Sequence, residues 1–264
     1  MKIKILYEDK DILAIDKPSG ISVHHDGRSK EKTITDWVLK NYPKLKGVGE
    51  PITFDDKEID RPGIVHRLDK ETSGVLIIVK NKKAFAYFKK QFMERKIKKT
   101  YYAIVSGWVK DDHGVIAKPI GRSPSDFRRR LAGRGARGEL REAVTEYKVL
   151  KRFQAPACKN FSSCALPRVR GGTLGDKNFY KLAPEKFSLL EIHPKTGRTH
   201  QIRVHMKYLN YPVVCDTLYA PKNPCPKNIK RLALHAKSIE FKDLKGKIIK
   251  IESPLPKEFK KVVK

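Results

Sequence analysis

The chain has 264 residues, 39% of them hydrophobic, which is enough to bury a substantial core. No apolar run approaches the ~18 residues that a membrane-spanning helix needs. Its 58 Lys and Arg against 29 Asp and Glu leave a formal net charge of +29. Solubility or a generally basic proteome is the plain reading of that excess; the sharper one is a polyanionic partner, bound mostly through phosphates.

In chain order, residues 2–7 and 11–16 alternate or run apolar around Glu8-Asp9-Lys10-Asp11, which predicts a hairpin. The opening stretch lacks a signal-peptide core, so a cytoplasmic location is expected. Lys17-Pro18-Ser19-Gly20 forces a turn. A short helix begins near Thr33 or Thr35, either of which could cap it, and carries Ile34, Trp37, Val38 and Tyr42 on one face until Pro43 ends it. Residues 44–60 read as a charged loop. The run Val75-Leu76-Ile77-Ile78-Val79 has no surface-helix period and reads as a buried strand.

Asn81 is a good cap for a helix with Phe85, Phe88, Phe92 and Ile97 at helical spacing. That stripe could be mistaken for a base-stacking surface, but it reads better as core. Lys99 to Trp108, Val144 to Phe153 and Phe187 to Ile192 read as strands, and Thr199 to Leu209 as a helix with Ile202, Met206 and Leu209 inward. Leu232 to Phe241 and Ile248 to Ile251 are further strands.

Two stretches interrupt the pattern. A basic Arg- and Gly-rich loop at about 122–142 contains Arg128, Arg129 and Arg130. It reads as a solvated loop, as an arm that orders on RNA phosphates, or as both. An insertion at about 154–184 holds Cys158 and Cys164. These two and Cys215 and Cys225 match no C-x-x-C zinc pattern and are expected to be reduced thiols. Strands outnumber helices and connections are mostly of hairpin type. A single α+β domain over residues 1–264, built on a mixed, mainly antiparallel sheet with flanking helices, is expected.

Three distant segments concentrate polar residues where elements begin or end: 66–74, 99–107 and 195–205. In the first, Asp69 sits beside a core strand in a strongly basic chain, so it either holds structure or does chemistry. In the second, alternation places Lys99 and Tyr101 on one face. The third starts with a turn, which puts Arg198 and Thr199 near a helix N-terminus, where an anion is favoured. There is no phosphate-binding G-x-x-x-x-G-K-[ST] loop and no G-x-S-x-G elbow. His200 and His205 are five apart and do not share a helix face as a zinc pair does. Phosphoryl transfer, zinc hydrolysis and serine chemistry are therefore poorly supported.

Together the segments resemble the RluA-type pseudouridine synthases: H-R-L-D-x-x-T-S-G at 66–74, K-x-Y-x-A-x-V-x-G at 99–107 and G-R-T-H-Q-I-R-x-H at 197–205. Lys17-Pro18-x-Gly20 with His24, Cys215-Asp216-x-x-Tyr219 and Leu234-His235-Ala236 support the match in the same order. The resemblance implies the pseudouridine synthase fold as a catalytic domain from residue 1, without a counterpart of the S4-type RNA-binding domain that often precedes it. It also implies isomerisation of uridine in structured rRNA or tRNA by an enzyme without metal or organic cofactor, working as a monomer.

By that resemblance Asp69 is the essential carboxylate, attacking C1′ or removing the 2′ proton. Arg203 is the arginine that pairs with it, and Tyr101 stacks on the flipped uracil and serves as a proton-transfer group. Arg67 enters the RNA stack when the nucleotide leaves. Lys99, Arg198, His200 and the Arg128–Arg130 run are candidates for RNA contact. His66 reads as structural, and Gly74 as a site of close backbone approach. A non-catalytic RNA-binding or ribosome-assembly protein of the same fold is the rival reading, and a base-releasing glycosylase a more distant one.

Overall fold

The computed structural model describes residues 2–25, 27, 29, 31–54, 57–158 and 184–263. Most of the expected insertion at 154–184 lies outside them. The chain packs as two compact units: Met1–Tyr102 with His193–Thr199 and Leu234–Leu255, and Ala103–Ile192 with His200–Ala233 and Pro256–Lys264.

The first unit opens with the expected hairpin, β1 (Lys4–Glu8) and β2 (Ile12–Lys17), paired antiparallel. Asp9 closes its turn, its Oδ1 accepting the N–H groups of Asp11 and Ile12 at 2.8 Å each. Helix α1 (Ile34–Asn41) is capped by Thr33, whose side chain accepts the Asp36 N–H while Asp36 accepts from the Thr33 backbone. The expected charged loop at 44–60 is more ordered than predicted. It holds a 3-10 turn (Pro43–Leu45) and a small hairpin of β3 (Ile52–Phe54) and β4 (Lys57–Ile59). Three-residue strands leave too short an alternation to register as a period.

Strand β5 (Ser73–Val79) is buried along its whole length, as its unbroken apolar run predicts. It pairs antiparallel with β2, placing Lys17 opposite Gly74. On its other side it pairs parallel with β14 (Leu234–Lys242) at Ser73 and Gly74. β15 (Ile248–Glu252) pairs antiparallel with β14. Gly74 has φ +114, and a Cβ there would collide with the Ala236 backbone, so only glycine lets β14 come this close. The 66–74 segment therefore ends where β2, β5 and β14 meet.

Helix α2 (Lys82–Met93) is capped by Asn81, which accepts the Ala84 N–H at 2.8 Å. Its aromatic stripe is core: Phe88 is buried edge-on against Phe241, and Phe85 and Phe92 pack against the same cluster. The chain leaves this unit along β6 (Lys98–Ser106).

In the second unit, β7 (His113–Ala117) pairs antiparallel with β11 (Val144–Cys158), which also pairs with β13 (Cys225–Pro226). The Arg/Gly-rich stretch, expected as an irregular loop, is instead a small antiparallel sheet of β8 (Ile120–Arg122), β9 (Arg130–Ala132) and β10 (Arg137–Arg141), with β8 in the middle. Its strands are too short and too charged to show a hydrophobic period; pairing to β8, not burial, defines them.

β12 (Pro184–Pro194) leads to helix α3 (Gln201–Tyr208). Ile202 and Met206 are buried as predicted, but so are Gln201, Arg203 and His205, so the helix is enclosed well beyond one apolar stripe. Leu209 lies just past its end, half-buried. A last helix, α4 (Lys257–Val263), follows. Cys215 and Cys225 are joined as a disulfide with Cα atoms 5.4 Å apart, which corrects the expectation of reduced thiols for this pair. Their spacing in sequence carries no sign of it, because the fold brings them together. The mixed, mainly antiparallel α+β architecture is the one expected.

Candidate active site

The first unit carries Asp69, Tyr101, Lys99, Arg67 and Arg198. The chain before β5 runs alongside it, with Ile64 bridging Ile78 and the Val79 N–H donating to Gly63 O at 2.9 Å. His66 extends the pairing with its ring: Nε2 accepts the Ile77 N–H at 2.9 Å, while the imidazole stacks on Phe92 with centroids 4.8 Å apart. Burial, and then the Lys99 charge, push its pKa down to about 3, so the ring stays neutral and able to accept. His66 is structural, as expected.

Leu68 is buried in the core, and Asp69 opens a turn closed by the Thr72 N–H on its carbonyl at 3.1 Å. That turn is pinned from below. Lys17, 0% exposed, donates from Nζ to the carbonyls of Pro18, Ile21 and Lys70 at 2.9, 2.7 and 3.0 Å. Ser19 Oγ donates to Glu71 O at 2.6 Å, and the Gly20 N–H donates to Lys70 O at 2.9 Å. A fully buried ammonium costs several kcal/mol unless its donors are matched, roughly, to acceptors; here three carbonyls match it. The Lys17-Pro18-Ser19-Gly20 turn is thus the cradle of the Asp69 turn.

Tyr101 lies on β6, half-buried against the same core. Burial first, and the Asp69 carboxylate second, raise its phenol pKa, so the structure brings these two predicted residues close enough to interact. Lys99, two residues earlier, donates to Thr196 O at 3.3 Å, and burial lowers its pKa to about 8. Arg67 is exposed and reaches His24 Nε2 at 3.5 Å, the outer limit of a hydrogen bond. His24 Nδ1 donates to His25 O at 2.8 Å, which leaves Nε2 as the acceptor. Arg198 is half-buried on the connection between β12 and α3.

The second unit carries the remaining candidates around α3. Arg203, 6% exposed, forms a two-pronged pair with Asp216: Nε to Oδ2 at 2.8 Å and Nη2 to Oδ1 at 2.7 Å. Asp216, 1% exposed, also accepts the Leu218 and Tyr219 N–H groups at 3.0 and 2.9 Å. The Arg203 guanidinium lies over the Tyr219 ring, 5.1 Å from its centroid. Tyr219 Oη accepts the Arg130 N–H at 2.9 Å and meets His200 Nδ1 at 3.0 Å. His200 takes a left-handed backbone at the mouth of α3, with φ 57°. One tyrosine thus ties α3, His200 and the basic sheet together.

A second polar network fixes the helix from behind. His205 Nδ1 accepts from Thr145 Oγ1 at 2.8 Å and Nε2 donates to Lys118 O at 3.0 Å. Gln201 donates to Thr145 Oγ1 at 2.9 Å and Val144 O at 3.0 Å. Of the basic run, Arg128 is gripped by Asp126 through Nε and Nη2 at 3.0 and 2.9 Å. Among the described residues no three His, Cys, Asp or Glu side chains converge as metal ligands, and no helix is long and apolar enough to cross a membrane. Sequence reasoning quoted Asp216 and Tyr219 only as supporting motif pieces and gave Lys17 no task. Asp216 and Tyr219 were marked only by the motif they belong to, and nothing in the sequence named the partners of any of the three.

The comparisons with known proteins agree with this geometry. Residues 11–208 match the family described as RNA pseudouridylate synthase. A relative from Aquifex aeolicus, called an uncharacterized RNA pseudouridine synthase, is 38% identical over 84% of this chain and 57% of its own length. A ribosomal large subunit pseudouridine synthase D from Borreliella burgdorferi is 35% identical over 97% of this chain and 66% of its own. The chain therefore spans roughly three-fifths to two-thirds of these two relatives. Human RNA Pseudouridylate Synthase Domain Containing 4 superposes with a TM-score of 0.64 at 25% identity, covering 97% of this chain and 89% of that one. With the three motifs in place and the family match running through most of the chain, this protein belongs to the RNA pseudouridylate synthase family.

Proposed function

We propose that this protein isomerises uridine to pseudouridine in structured RNA. The C1′–N1 bond breaks, the uracil turns, C5 bonds to C1′, and the proton lost from C5 is balanced by one gained at N1. The observation that carries the proposal is a carboxylate, Asp69, on a turn braced by a buried lysine and close enough to Tyr101 to shift its phenol. Cleaving a glycosidic bond builds positive charge at the anomeric carbon, which a fixed carboxylate stabilises or traps, as in retaining glycosidases. Whether Asp69 attacks C1′ or takes the 2′ proton, it must be held still, and the Lys17 cradle supports that.

Tyr101, kept a neutral phenol, offers a stacking plane and an O–H to the uracil. Its upward-shifted pKa favours hydrogen bonding over action as a standing base. The assignment of Arg203 as partner of the Asp69 carboxylate rests on the family resemblance; within its own unit the guanidinium gives two donors to Asp216 and lies against Tyr219. Arg67 is the residue that takes the place of the extruded nucleotide, consistent with base flipping. Lys99, Arg198, His200 and Arg128–Arg130 are assigned to RNA contact. The names of the ribosomal relatives favour rRNA as the substrate, acted on by a cytoplasmic monomer without cofactor.

The test is tritium release from RNA carrying uridine labelled at C5. Wild type should release it from unmodified rRNA, and Asp69→Asn should release none while binding the same RNA with unchanged affinity. Binding without release by wild type would establish the non-catalytic reading, and free uracil among the products a glycosylase.

A further inference from the structure

The β8–β9 connection is a built turn with an aromatic at its apex. The Arg129 N–H donates to Asp126 O at 2.9 Å, which makes Asp126–Arg129 a closed turn, and the Ser123 N–H donates to Arg129 O at 3.1 Å beneath it. Asp126 Oδ1 accepts the Arg128 N–H at 2.9 Å, and its carboxylate grips the Arg128 guanidinium. Arg130 Nη1 donates back to the carbonyls of Phe127 and Arg129 at 3.1 Å each. The turn is anchored at its base by the Arg130 N–H on Tyr219.

At the apex stands Phe127, 77% exposed, the most exposed large hydrophobic among the described residues. A single exposed apolar residue is ordinary on a protein surface. An aromatic ring on a hydrogen-bonded turn, followed directly by Arg128, Arg129 and Arg130, is a different object. It pairs a π-face with adjacent positive charge, the combination by which proteins hold single-stranded nucleic acid.

We propose that Phe127 is a base-stacking residue: its ring takes the face of an unpaired base in the substrate RNA while the following arginines hold the flanking phosphates. This rests on the reading of the chain as RNA-binding and adds to it a preference for unpaired segments. Fully paired RNA hides its base faces within the stack, whereas a loop or bulge presents them. The turn's internal hydrogen bonds matter because a ring held in place loses little freedom on binding. Charge complementarity favours RNA over a protein partner at this tip, since three arginines follow the apex against the single Asp126 carboxylate before it, in a chain of net charge +29.

The experiment is fluorescence anisotropy at fixed salt with two labelled RNAs of equal length, a hairpin with an open loop and a fully paired duplex. Wild type, Phe127→Ala and Phe127→Trp are compared, with circular dichroism melting to check folding. Phe127→Ala should weaken loop binding by about 5- to 100-fold, leave duplex binding within about twofold, and melt like wild type. Phe127→Trp should restore loop binding. Unchanged loop affinity in Phe127→Ala, equal loss on both RNAs, or failure of Trp to restore binding would each overturn the proposal, the first leaving the tip to a protein partner. Tritium release by wild type is scored separately. Turnover with an insensitive Phe127 sinks only the stacking proposal; loop-selective loss without turnover sinks only the isomerase.

Discussion

Removing the carboxylate of Asp216 should be among the most damaging single changes in the second unit. In Asp216→Ala, Arg203 loses two charge-assisted hydrogen bonds of 2.7 and 2.8 Å while remaining 6% exposed, and the Leu218 and Tyr219 N–H groups lose their acceptor. Stripping one member from a buried ion pair costs about 3–5 kcal/mol, mostly because the other charge is stranded. Replacing both members by apolar groups, Asp216→Leu with Arg203→Met, should cost much less, since neither charge is then buried alone. A double-mutant cycle by urea denaturation, following tryptophan fluorescence, measures the difference. The expected coupling between the two positions is at least about 2 kcal/mol. At roughly 2–4 °C per kcal/mol, Asp216→Ala should melt about 6–20 °C below wild type. A cost below about 1 kcal/mol, or a cycle that closes near zero, would show that Asp216 does not hold Arg203. Because Tyr219 sits on the same guanidinium, Asp216→Asn should also depress kcat more than it raises KM if a displaced Arg203 harms the chemical step.

Two further outcomes follow from the same structure. His66 is neutral when folded, with a pKa near 3, whereas in the unfolded chain it takes up a proton below about 6.5. Its stabilising contribution is therefore present above that pH and lost as pH falls toward 3, at up to about 1.4 kcal/mol per pH unit. His66→Gln, which keeps an acceptor for the Ile77 N–H, should flatten stability between pH 4 and 6; an unchanged pH profile by chemical denaturation would contradict the neutral-acceptor role. Neutralising Arg128, Arg129 and Arg130 together should reduce the slope of log affinity against log salt by about 1–3, measured by filter binding, and an unaltered slope would remove the basic sheet from the RNA interface.

How much of this was legible beforehand depends on the range of the forces involved. The β1–β2 hairpin, the caps at Thr33 and Asn81 and the buried run 75–79 are written locally, in turn chemistry, side-chain capping and apolar continuity, and all form as read. Asp69 was conspicuous as an acid beside a core strand in a strongly basic chain, whereas the roles of Tyr101 and Arg203 came from the family resemblance of the motifs that contain them. Arg128–Arg141 could not be recognised as a sheet, since its order comes from pairing with β8 and not from its own composition.

Lys17 shows the division most clearly: in sequence it is one of 58 basic residues, and nothing marks it as the one that is fully buried. Only when β2 pairs with β5 does its ammonium reach the carbonyl of Lys70, on the turn that Asp69 opens. Likewise Asp216, thirteen residues from Arg203, becomes its partner because α3 and the turn that follows pack side by side. Local chemistry along the chain determined which residues could act. Long-range pairing, which no window of sequence contains, decided what each of them touches.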